Sequence, residues 1–93
     1  MSEREVGPVL EDSELGRAVV AAIREQNDGA RVQDRGAYLR VLVPARCIVS
    51  RDAIERQLGR SVQLPSELEL VMSSFKGRLR IDAERAVWEA PEP

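Results

Sequence analysis

Two stretches of the chain carry apolar residues at different periods, and this restricts the fold more than any other feature. In ELGRAVVAAIREQN, Glu14 to Asn27, the residues Leu15, Ala18, Val19, Ala22 and Ile23 fall on one stripe at helical spacing. In AYLRVLV, Ala37 to Val43, the residues Ala37, Leu39, Val41 and Val43 share one face at period two, with Tyr38, Arg40 and Leu42 opposite. An amphipathic helix followed at once by a half-buried strand is the pattern of an α+β domain. The 93 residues fit one such domain. A chain this short buries only about 60–65% of its unfolded surface, so its core has little to spare.

The other elements follow from local signals. Asp12 or Ser13 caps the first helix and Gly29 suits its stop, while Gly16 weakens it by about 1 kcal/mol relative to Ala. Val6 to Leu10 predicts a short edge strand or extended arm, since Pro8 cannot donate to a ladder. Arg31 to Asp34 pairs with the Ala37–Val43 strand across Arg35-Gly36, and Pro44 ends that strand. Ser50 to Leu58 predicts a second helix: Ser50 is its N-cap, Val49 packs on Ile54 as a staple, and Gly59 closes it. Its narrow stripe, Ile54 and Leu58, suits a helix lying on a surface. Leu68 to Phe75 reads as a third long strand and Gly77 to Ile81 as a fourth, turning through Asp82–Arg85 into AVWE. The expected architecture is a single-domain, two-layer α+β sandwich: two helices packed on a mostly antiparallel sheet, spanning 1–93 with loose ends at about 1–5 and 90–93.

Composition narrows the function. The net charge is −2 with both signs interspersed, which disfavours nucleic acid and anionic membrane surfaces as partners. No apolar run approaches the ~20 residues of a membrane span, and the start lacks the pattern of a signal peptide. One cysteine, Cys47, forms no internal disulfide, and a cytoplasmic location is expected. Histidine is absent, which removes the usual neutral-pH general base and the usual imidazole metal ligand. P-loop, GxGxxG, GxSxG and EF-hand spacings are also absent. The residues point to a protein that acts by binding, with no catalytic, cofactor or metal residues to name.

The segment LVMSSFKG, Leu70 to Gly77, holds the only Phe beside two serines. Strand alternation sends Leu68, Leu70 and Met72 toward the helices. It sends Glu67, Glu69, Val71, Ser73 and Phe75 the other way. The outward set, rimmed by Lys76, Arg78 and Arg80, has the apolar centre and charged border of a protein contact surface. Gly77 permits a bulge or sharp bend. The alternative is that Phe75 belongs to the core, and one bulge reverses every facing beyond it.

Other candidates read as structural. Cys47 is a small semi-buried residue. The pairs Glu67 with Glu69 and Asp82 with Glu84 are solvated, since nothing nearby raises either pKa. Arg51, Asp52, Glu55 and Arg56 form an exposed ion-paired face, and Trp88 covers the sheet edge near the C-terminus.

LPSELELVMSSFKGRL, Leu64 to Leu79, resembles the signature of the coupling (effector) proteins of soluble di-iron monooxygenases. VGP at Val6–Pro8, DRGAYLRV at Asp34–Val41 and IERQLGR at Ile54–Arg60 resemble the toluene and alkene branch in the same order. The resemblance implies a cofactor-free regulatory component that docks on the large subunit of a di-iron hydroxylase. There it tunes access of substrate and O2 and couples electron use to product, in interplay with a ferredoxin or reductase; when free it is expected to be a monomer. Carried over by position, it implies partner-binding residues Val6, Gly7, Pro8, Val71, Ser73, Ser74, Phe75, Lys76, Gly77 and Arg78. Val71 stands where many relatives have Asn or Asp, and the N-terminal arm is short. The runner-up reading is a small-ligand-binding regulatory domain of the same fold class.

Overall fold

The computed structural model describes residues 4–91. In chain order the elements are β1 (Glu5–Glu11), α1 (Glu14–Gln26), β2 (Arg31–Asp34), β3 (Tyr38–Pro44), β4 (Arg46–Ser50), α2 (Arg51–Leu58), α3 (Ser66–Val71), β5 (Met72–Lys76), β6 (Arg78–Ile81) and β7 (Arg85–Glu89). They form an α+β domain with two antiparallel sheets, ordered β2-β3-β1-β5 and β4-β7-β6. No helix of the described residues is long and apolar enough to cross a membrane.

The single expected sheet is thus divided in two; the chain turns directly from the larger to the smaller at two corners and returns between them through α2 and α3. β3 passes into β4 at Ala45 (φ 66°), and β5 passes into β6 at Gly77 (φ 104°). A Cβ at Gly77 would stand 2.8 Å from Val6 Cγ1 and 2.9 Å from the Glu89 carbonyl oxygen, so both backbone geometry and space demand glycine there. The Ala45 N–H donates to the Arg4 carbonyl at 2.7 Å and its carbonyl accepts from the Ala90 N–H at 2.9 Å, which ties both ends of the chain to this corner.

The inner faces of both sheets and the apolar stripe of α1 meet in one core. Val6, Leu10, Ala22, Ile23, Val41, Cys47, Val49, Ile54, Leu68 and Trp88 are all buried there. Ser13 caps α1, its Oγ accepting from the Gly16 N–H at 3.1 Å, while Asp12 pairs with Arg17 instead. Ser50 caps α2, its Oγ accepting from the Ala53 N–H at 3.1 Å. The far end of α1 stops at Asn27, not through Gly29. The Asn27 amide donates to the carbonyls of Ile23 and Ile48, both at 2.7 Å, and its oxygen accepts from the Ile48 N–H at 2.9 Å.

Several expectations are corrected. Val6 to Leu10 is neither an arm nor an edge: β1 lies between β3 and β5, and the missing Pro8 donor is absorbed where the β1–β3 register skips Gly7 and Pro8. Glu5, expected in a loose end, belongs to β1, and 1–3 and 92–93 lie outside the described residues. Leu68 to Phe75 is not one strand. Its first part is α3, because Leu64, Leu68 and Val71 also stand at i, i+4, i+7, and Glu and Leu favour helix over strand. The turn is held by Glu67, whose carboxylate accepts from the Gln63 N–H at 2.7 Å and from Arg60 at 3.1 Å. Trp88 is wholly buried on the central strand of the smaller sheet rather than covering an edge. Cys47 is likewise fully buried, and the loss of hydration pushes its thiol up to about 12.

Candidate functional site

β5 is the place where the sequence-predicted surface residues gather. It pairs only with β1 and therefore forms an edge of the larger sheet. Ser73, Ser74, Phe75 and Lys76 are all exposed, and Arg78 follows them past the Gly77 corner, also exposed. The ladder sets Lys76 opposite Gly7, Phe75 opposite Pro8 and Ser74 opposite Val9, then slips so that Leu10 faces Met72. Ser73 is the extra residue of this bulge, and its Oγ reaches the Val9 carbonyl at 3.4 Å. The bulge lies at Ser73 and the bend at Gly77, two distinct devices that shape one short edge.

Phe75 is 44% exposed, which decides against its being core. Leu70 is 80% exposed and Tyr38 47% exposed. Strand alternation places Leu70 in the core, but the segment is helical, and on α3 Leu70 turns away from Leu68, which is buried. Glu11, Ala37, Tyr38, Leu70, Val71 and Ser73 line an open cleft of about 320 Å³ at one end of β5. A second open cleft of about 270 Å³ lies at the other end, between Arg4, Glu5, Val6, Lys76, Gly77 and Pro91. Val71 is half-buried where α3 passes into β5.

Val6, Gly7 and Pro8 are not at the surface. All three are buried in β1, directly behind β5. A Cβ at Gly7 (φ 145°) would stand 2.4 Å from the Val41 carbonyl oxygen, so glycine here permits two strands to close up. The VGP motif therefore shapes the edge from within.

The ionisable groups around the site are structural. Arg31 grips both oxygens of Glu5, at 2.6 and 3.0 Å, and holds that carboxyl below the usual range. Glu67 is lowered by the Gln63 N–H and then by Arg60, and Asp82 by the backbone N–H groups of Glu84 and Arg85. These carboxylates stay ionised and committed to local bonds, the opposite of a poised general acid. Glu55 is a tether rather than part of an ion-paired face: its carboxylate accepts from the Val62 N–H at 2.8 Å, while Arg51 and Arg56 reach off their helix to Glu84 and Glu25. Among the described residues no three His, Cys, Asp or Glu side chains gather in a metal-ligating group.

The model of the MmoB/DmpM family matches residues 4–89. Over 90 residues the chain is 39% identical to the alkene monooxygenase system effector subunit of Xanthobacter autotrophicus (strain ATCC BAA-1158 / Py2), covering 95% of this chain and 88% of that protein. Among solved structures, a chain of a phenol hydroxylase–regulatory protein complex superposes with a TM-score of 0.83 at 24% identity, covering 96% of this chain and 100% of that chain. A chain of a second such structure gives 0.79 at 24% identity, covering 92% and 99%. These superpositions share the fold described above.

Proposed function

The chain belongs to the MmoB/DmpM family, and from that premise we propose that it is the effector, or coupling, component of a multicomponent di-iron monooxygenase that oxidises an alkene or aromatic hydrocarbon. It carries no cofactor and performs no chemistry itself. It acts in the cytoplasm by docking on the hydroxylase large subunit near the di-iron site, where it sets access of substrate and O2 and couples NADH consumption to product. The observation that carries this reading is the 39% identity to an alkene monooxygenase effector subunit across 95% of the chain.

The docking surface is the β5 edge: Val71, Ser73, Ser74, Phe75, Lys76, Gly77 and Arg78, joined by Leu70 and Tyr38. Small serines let a partner backbone approach, and three exposed apolar side chains supply anchors of the kind that dominate interfaces. Val6, Gly7 and Pro8 act by fixing the strand on which these residues stand. As an allosteric ligand, the effector biases the hydroxylase only through its differential affinity for the active state. A coupling of about 1–3 kcal/mol changes the ratio of states roughly 5–150-fold. The ligand-binding alternative has less support, since both clefts beside β5 are open and offer few convergent polar groups.

The test is reconstitution. Added to its cognate hydroxylase and electron donors, the chain raises product formed per NADH consumed. A hydroxylase whose rate and coupling are indifferent to the chain overturns the reading.

A further inference from the structure

The outer face of the smaller sheet carries three arginines around one carboxylate. In the β4-β7-β6 register Arg46, Glu89 and Arg78 form one cross-strand row, and Ile48, Val87 and Arg80 form the next. Alternation places all six on the same face, opposite Cys47, Trp88 and Leu79, which point to the core. Arg46 and Arg80 both reach Glu89, at 3.8 and 2.5 Å, while Arg78 makes no ion pair among the described residues. Two guanidiniums thus share a single carboxylate and a third stands beside it without one, on a chain whose net charge is −2. The side chains of Arg46 and Arg80 stay 56% and 76% exposed despite their pairing, and Val87, at the centre of the second row, is buried. An apolar centre under charged arginine heads matches an interface core flanked by its rim.

We propose that this arginine face is a second part of the docking surface and receives an acidic patch of the hydroxylase. The proposal rests on the effector reading given above. Two observations choose the partner. The face is continuous with β5: Lys76, Gly77 and Arg78 are consecutive, and the Gly77 corner joins the edge strand to the arginine rows. The β5 edge is also small for the task. A stable interface covers about 800 Å² per partner with roughly 20–30 residues a side, and the β5 edge given above offers nine. Carboxylates are the chemistry selected, because planar guanidinium forks pair with them bidentately and repel basic surfaces.

The experiment measures the dissociation constant of the intact chain for its hydroxylase between about 0.05 and 0.5 M salt. The parent is compared with the double variant Arg46→Gln/Arg80→Gln, with Arg46→Gln alone and with Phe75→Ala. The single variant leaves the shorter Arg80–Glu89 pair intact and guards against a folding defect in the double one. At low salt the double variant binds about tenfold more weakly and Arg46→Gln a few-fold more weakly. Both differences shrink as salt screens the charges. If the arginine variants match the parent at every salt while Phe75→Ala loses affinity, the arginine face is not part of the interface and the effector reading stands. If the parent itself does not bind, the effector reading fails.

Discussion

Phe75 stands directly opposite Pro8 in the ladder joining β5 to β1, with the proline buried and the phenylalanine ring 44% exposed. One position of the register thus separates the core from the surface. Phe75→Ala removes a half-buried ring and costs about 1–2 kcal/mol, against about 3–5 kcal/mol for Trp88→Ala in the core. Urea unfolding of both variants checks the contrast. On the proposed function, Phe75→Ala also weakens hydroxylase binding about tenfold, read by titration calorimetry.

Gly16 lies in the first turn of α1, where helix propensity alone makes Ala better by about 1 kcal/mol. The fold reverses that sign. A Cβ at Gly16 would stand 1.9 Å from the Glu11 carbonyl oxygen, a contact that the end of β1 cannot relieve without moving. Gly16→Ala therefore lowers stability, by about 2 kcal/mol. A raised melting temperature in this variant would refute the packing argument.

Asn27 joins the end of α1 to β4 through three hydrogen bonds, two given and one received. Asn27→Ala strands the Ile48 N–H and carbonyl in a partly buried place, while the Ile23 carbonyl keeps the backbone N–H of residue 27, and costs about 2 kcal/mol. Asn27→Asp keeps the bond received from Ile48 but loses both amide donations, so it recovers only part of that loss. Amide hydrogen exchange at Ile48 reports the change directly.

Burial at Cys47 gives a pH dependence with a definite sign. The unfolded thiol ionises near 9, whereas the folded thiol holds its proton to about 12. Its contribution to stability is complete below about 9 and declines as pH rises through that window. At pH 8 the native protein is inert to a thiol reagent, and the reagent reacts only as fast as the chain opens. Cys47→Ala removes the alkaline decline that belongs to this group, which unfolding curves at pH 8 and pH 10 measure.

Short-range physics was legible where it acts within a few residues. The stripe of α1, the caps Ser13 and Ser50, the alternation of Leu39, Val41 and Val43, and the exposed character of Ser73 and Arg78 all hold in the fold, whereas Phe75, open between core and surface in the letters, is decided by the tertiary structure. The family resemblance carried by four motifs was also present in the letters alone, and the 4–89 family match agrees with it. The assignment of α3 was not legible, because Leu64, Leu68, Leu70 and Met72 satisfy period two while Leu64, Leu68 and Val71 satisfy the helix. Either stripe is adequate locally; the outcome depends on which one meets Trp88, Ile54 and the other core residues, which lie far along the chain. The same reason hid the central place of β1, the need for glycine at 77, and the division into two sheets at Ala45 and Gly77. Each is a contact between distant segments, and no window of neighbouring residues contains the atom that enforces it.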